Sequence, residues 1–171
     1  MWNKLLPDLY CDTVSQIDPA DLQKRGIRAI LCDIDNTLVT YDDPAPTPSA
    51  SAFLDRMRDA GIAVAFLSNP DPERVERFNA SLGYYAVAKS AKPLGRELRR
   101  AMTALGTDKN STMVLGDQIF TDIYAGKRLG LYSCLVKPIK DKSSWFFRFK
   151  RALEKPLMKL YFRRIRKKNK A

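Results

Sequence analysis

The sequence predicts an α/β protein: a doubly wound parallel sheet followed by a basic, amphipathic helical tail. Three observations carry the prediction. Apolar runs beginning near residues 27, 62, 84, 111 and 132 alternate with segments patterned as helices. Each of the first four runs is closed by polar residues, at the strand ends where such sheets carry their sites. Charge is also unevenly placed: residues 137–171 hold 14 Lys/Arg against 2 Asp/Glu, and residues 1–136 hold 16 against 17. A near-neutral domain over 1–136 and a basic tail over 137–171 are the expected units.

Each element has its own local reason. In "SQIDPADLQKRG", Asp18 can cap a helix, Pro19 fits its first turn and Gly26 can stop it. "IRAILCDID" reads as a buried strand. Pro44, Pro46 and Pro48 then discourage regular structure. "SASAFLDRMRDAG" places Phe53, Leu54 and Met57 at helical spacing and closes on Gly61. "IAVAFLSN" is a second strand, "DPERVERFNASLG" a helix from Asp71 and Pro72 to Gly83, and "YYAVAKS" a third, shorter strand. "PLGRELRRAMTALG" is expected to be helical in spite of Gly95. "STMVLGD", "FTDIYAGKRLG" and "YSCLVKP" complete the series as strand, helix and fifth strand.

Composition narrows the chemistry. A chain of 171 residues, 45% hydrophobic, suits one domain with an appendage. No apolar stretch approaches the ~18 residues of a membrane span, and "MWNKLLPDLY" lacks a signal-peptide pattern. Cys11, Cys32 and Cys134 are odd in number and show no C-x-x-C spacing, so they are expected to be reduced packing residues in a cytosolic protein. The chain has no histidine, which excludes His-based triads and His metal sites.

The polar residues at the strand ends form one set. Asp33 and Asp35 close the first strand, Ser68 and Asn69 the second; Lys89 and Lys92 follow the third, and Asp117 the fourth. Two carboxylates two residues apart repel each other unless a cation sits between them. With Asp117 and Asp122 of "GDQIFTD" they make an oxygen-rich, hard-ligand set that suits Mg²⁺ better than zinc or copper. An EF-hand reading of "DIDNTL" fails, because its glycine and bidentate-glutamate positions hold Leu38 and Pro44. Ser68 and Asn69 can donate to phosphate oxygens, and Lys92 supplies a fixed positive charge. That combination suits phosphoryl transfer to a carboxylate nucleophile.

"DIDNTL", "LSN", "KP" after the third strand and "GDQIFTD" resemble, in order, the four motifs of the haloacid dehalogenase superfamily of phosphatases. The resemblance implies that Asp33 is the nucleophile and that Asp35 is the general acid/base, also binding Mg²⁺ through its backbone carbonyl. It implies that Ser68 and Asn69 belong to the phosphate-binding motif, that Lys92 balances charge, and that Asp117 and Asp122 serve the metal. "LLPDLY", "KPLGRELRRAM", "VLGDQIFTDIYAGKRLG" and the aromatic-basic tail extend the likeness, over nearly the whole chain, to the YqeG family. That family is related to the mitochondrial phosphatidylglycerophosphatase, which implies an anionic phospholipid as the phosphorylated substrate. No segment long enough for a cap domain follows the first or second motif, so the site is expected to be open.

The tail admits two readings. Trp145, Phe149, Leu153, Leu157, Leu160 and Tyr161 fall near one side of a helix, and Arg151, Lys155 and Lys159 on another. The stripe can dock on the sheet domain, or it can lie in a membrane surface with the cations on anionic headgroups. Nucleic acid is the less favoured partner for the same cations. Pro156 is expected to divide the tail into two short helices. The expected location is cytoplasmic, with peripheral membrane association.

Overall fold

A computed structural model describes residues 4–68, 72–88, 95–140 and 145–168. The elements in chain order are β1 (Leu9–Cys11), α1 (Pro19–Lys24), β2 (Ala29–Cys32), α2 (Pro48–Asp59), β3 (Ala63–Leu67) and α3 (Pro72–Asn79), then β4 (Tyr85–Val87), α4 (Arg96–Ala104), β5 (Thr112–Gly116), α5 (Tyr124–Leu129), β6 (Tyr132–Val136) and α6 (Trp145–Lys168). All six strands are parallel, in the order β1-β6-β5-β2-β3-β4. Five strands were expected. The sixth, β1, pairs Leu9 with Cys134 and Cys11 with Val136 at the sheet edge. Three residues are too few to show a period, so the pairing is made by the distant partner.

Burial follows the pleat. Ile30 and Cys32 of β2 join Val64, Phe66, Met113 and Leu115 beneath Phe53, Met57 and Phe78 of the helices on one face. Leu31 points the other way, with Ala65, Leu67 and Val114, against Leu98, Ala101 and Ala125. Strands buried on both faces are continuously apolar, as these runs are.

The local signals act mostly as read. The Asp18 side chain accepts from the Ala20 N–H at 2.9 Å, and Gly26 leaves α1 at φ 75°. Two proline and glycine readings change. Pro48 is the first residue of α2, capped by the Thr47 hydroxyl, rather than part of the loop. Gly95 stands at the start of α4 with φ 78°, so that helix never has to accommodate it.

Pro156 does not divide the tail: α6 runs unbroken from Trp145 to Lys168. The proline is exposed, whereas Glu154, Leu157 and Tyr161 are buried. The carbonyl it leaves unbonded, four residues back, can be solvated, and buried contacts on either side of it hold the helix across the gap. Leu157 and Tyr161 pack with Leu6, Ile119, Ile123 and Leu135, so α6 lies against the β6 side of the sheet. Among the described residues no helix is long and apolar enough to cross a membrane.

Candidate active site

The sheet changes winding direction at β2, with β3 on one side and β5 on the other. Open α/β sheets have their crevice at such a switch point, beyond the strand carboxyl ends. Asp33 follows β2, Ser68 follows β3 and Asp117 follows β5. Asp33 is fixed by its own N–H, which donates to the Leu115 carbonyl at 2.9 Å. Three neighbouring strands therefore deliver three buried polar side chains to one place.

Asp33, Asp117 and Asp122 each offer a carboxylate oxygen to a group whose members lie within 4.8 Å of one another. At an effective dielectric of about 20, each such pair repels by roughly 3 kcal/mol or more. Gly116 makes the gathering possible. A Cβ there would sit 2.4 Å from the Asp122 Cβ, Cγ and Oδ2, so only glycine lets that carboxylate fold back beside β5. The Gln118 N–H then donates to Asp122 Oδ2 at 3.2 Å. Three buried oxygen donors so close together are the chemistry of a hard divalent cation, and the residues present fit one.

Asp35 has a different setting. Arg74 donates to its Oδ1 from Nε at 3.2 Å and from Nη2 at 3.0 Å, and the pair is almost wholly buried. The same guanidinium donates to the Thr40 carbonyl at 2.9 Å and to the Asp43 carbonyl. It thus ties the loop after β2 to the carboxylate. Asp35 Oδ2 is buried without a hydrogen-bond partner. One oxygen is held by the guanidinium and the other is not.

The buried hydroxyls of Thr37 and Ser68 also have no partner, nor has the Asn36 side-chain oxygen. Leaving such atoms dry costs about 1–3 kcal/mol each, which points to a polar ligand that satisfies them. Asn36 turns the chain at φ 64°, and its N–H donates to the Val39 carbonyl at 2.7 Å. Asn tolerates that conformation better than most residues. Tyr41 stands at the rim; its phenol is pushed up by burial and then by Asp35, Asp33, Asp117 and Asp122.

Asn69 and Lys92, the remaining predicted site residues, and Lys89 lie outside the described residues. Arg74 and Tyr41 were missed by sequence reading, as was Glu154 of α6. Its buried carboxylate accepts from the Ile119 N–H at 2.9 Å, at the start of the π-helical turn Ile119–Ile123. This contact joins α6 to the segment that carries Asp117 and Asp122. The three cysteines are buried and free, as expected of packing residues.

A model of the haloacid dehalogenase-like hydrolases matches residues 12–130. The chain belongs to that family. This hydrolase is 34% identical to the "Probable phosphatase YqeG" of Bacillus subtilis over 90% of its own length and 89% of the relative's. It is 24% identical to "Phosphatidylglycerophosphate phosphatase 1, chloroplastic/mitochondrial" of Arabidopsis thaliana, over 94% of its own length and 49% of that protein's. Two crystal structures share the fold. An uncharacterized protein of Listeria monocytogenes superposes with TM-score 0.56 at 19% identity, covering 69% of this chain and 85% of that one. A hypothetical protein of Xanthomonas campestris gives 0.51 at 18%, covering 72% of each. The hydrolase is thus a haloacid dehalogenase-like enzyme of the phosphatase kind. Among the described residues no element intervenes between β2 and α2 or between β3 and α3, so its rim carries no cap there.

Proposed function

We propose that this enzyme is a Mg²⁺-dependent phosphomonoesterase that dephosphorylates phosphatidylglycerophosphate at the cytoplasmic membrane surface. One observation carries the chemistry: three buried carboxylates gathered at the switch point, beside a buried Ser68 hydroxyl without a partner. The Asp33 carboxylate attacks phosphorus, the ester P–O bond breaks, and Asp35 gives its proton to the leaving alkoxide. Asp35 then takes a proton from water. That water attacks the phosphoaspartate, freeing the Asp33 carboxylate and inorganic phosphate. Arg74 holds Asp35 Oδ1, leaving Oδ2 to move the proton. Ser68 and Asn69 donate to phosphate oxygens, and Lys92 offsets their charge.

Asp33, Asp117 and Asp122 would hold Mg²⁺, with the Asp35 backbone carbonyl. Bound there, the ion neutralises phosphate charge and the repulsion among the acids.

Three findings support the lipid substrate. Among the described residues the rim carries no cap, a relative bears that activity in its name, and the exposed charged side chains described on α6 are all basic. The test is phosphate release by the purified enzyme from phosphatidylglycerophosphate in mixed micelles, beside soluble phosphomonoesters. Preference for the lipid, abolished by Asp33→Asn in a folded variant, is expected. Retention of activity within tenfold of wild type in that variant would refute the nucleophile, and preference for a soluble ester would refute the substrate.

A further inference from the structure

Beside the carboxylate-bearing turn lies a groove that the reaction above does not use. Phe120 forms one wall; Leu153, Pro156, Leu157 and Leu160 of α6 form the other, around a cavity of about 510 Å³. That volume falls within the range of small-molecule sites, ~300–1,000 Å³. The four α6 residues are spaced three, four and seven apart, so they make one continuous stripe. Leu153 is 46% exposed although it is large and apolar. The opposite wall belongs to the turn that carries Asp122, two residues beyond Phe120.

Charge identifies the occupant. Lys155, Lys159 and Arg163 are exposed and spaced four apart, forming the next stripe on α6, beside Pro156 and Leu160. The acid described on this helix, Glu154, is buried and accepts the Ile119 N–H. A ligand that fills the groove and meets the cations has an apolar chain and an anionic head. Nucleic acid would answer the cations and leave the groove empty. An apolar peptide would do the reverse.

We propose that this groove receives one acyl chain of an anionic phospholipid, with the headgroup charge on Lys159 and Arg163. The lipid's identity as substrate or product rests on the reading under Proposed function. The groove would give the enzyme a grip on a single lipid molecule, in addition to whatever holds α6 at a membrane.

The test uses the full-length protein and dioctanoyl phosphatidylglycerol below its micelle concentration, followed by isothermal titration calorimetry. Saturable binding with a negative heat-capacity change is expected, and the deacylated headgroup should bind at least about tenfold more weakly, a difference of ~1.4 kcal/mol. Leu153→Asn changes an exposed position outside the core and should weaken lipid binding about tenfold. Ile165→Asn, at an exposed apolar residue of the same helix away from the groove, should leave it unchanged. No binding, equal affinity in Leu153→Asn and wild type, or equal loss in both variants overturns the groove. Binding lost in Leu153→Asn without hydrolysis of phosphatidylglycerophosphate keeps the groove and removes the substrate reading. Hydrolysis with no dependence on chain or on Leu153 does the opposite.

Discussion

The rim of the sheet and helix α6 are both unusual in charge, in opposite senses. The rim takes acids out of water: Asp33, Asp35, Asp117 and Asp122 are all buried, and three of them crowd together. Among the described side chains of helix α6, the cations are exposed and one acid, Glu154, is buried on a backbone N–H. Its irregularity is apolar, since Leu153, Phe162 and Ile165 are exposed. Crowded acids and dry hydroxyls cost stability and mark a place where a polar ligand is handled. Exposed apolar groups among cations cost little, and under the proposals above they form the surface that would meet an amphiphile.

Metal removal should have the largest effect on the acidic rim. Excess chelator should abolish phosphate release, Mg²⁺ should restore it, and Ca²⁺ with its looser coordination sphere should inhibit. Under chelation Asp117→Asn should raise the melting temperature by several degrees, because each relieved pair is worth roughly 3 kcal/mol before solvent relaxation. Full activity in chelator, or a lower melting temperature for the variant, would remove the cation site.

Gly116→Ala comes next. Its Cβ would collide with Asp122, so turnover should fall about a hundredfold, with a raised Mg²⁺ requirement. Near-normal Mg²⁺ activation would mean that Asp122 has no part in holding the ion.

The third measurement concerns the helix. Replacing Lys155, Lys159 and Arg163 by Gln should weaken binding to anionic vesicles by up to about 3 kcal/mol, since each headgroup contact contributes roughly 1 kcal/mol. Hydrolysis of a soluble ester should be unaffected. Binding by the wild type should weaken as salt rises, and equal loss of lipid and soluble activity would make the cations structural. This is a cleaner experiment than deleting 143–171, which would uncover Leu6, Ile119, Ile123 and Leu135.

Glu154 should give the smallest effect. Glu154→Leu leaves the Ile119 N–H unpaired and should cost about 1–3 kcal/mol of stability, with severalfold weaker Mg²⁺ activation. Glu154→Gln keeps an acceptor and should restore most of both. If the two variants behave alike, the hydrogen bond does not position the turn.

How far the sequence could be read depended on how local each signal was. Asp33, Ser68 and Asp117 stand just beyond β2, β3 and β5, as their sequence context predicts, because each follows a buried run whose direction and neighbours obey general rules for parallel sheets. Arg74 was invisible, because "DPERVERF" reads as an ordinary solvated helix and its partner Asp35 lies 39 residues away. Tyr41 gave no signal in a loop of polar and proline residues. Glu154 looked like a lone acid in a basic tail. Its value comes from packing that brings it against Ile119, 35 residues earlier. Pro156 was read by its strong local rule, and buried contacts on either side of it overrode that rule.

Strand β1 has a consequence for the order of assembly. Leu9 pairs with Cys134, far along the chain, so β1 finds its partner only once the distant β6 has been made. Loop closure over that span is slow relative to joining β2 and β3, whose paired residues Ala29 and Ala63 lie close in sequence. The central strands are therefore expected to form the early nucleus, with the edge made by Leu6, β1, β6 and α6 closing last. Mutations at that edge should speed unfolding more than they slow folding. Until it closes, β1 is an unpaired strand, but its three residues offer other chains a short template.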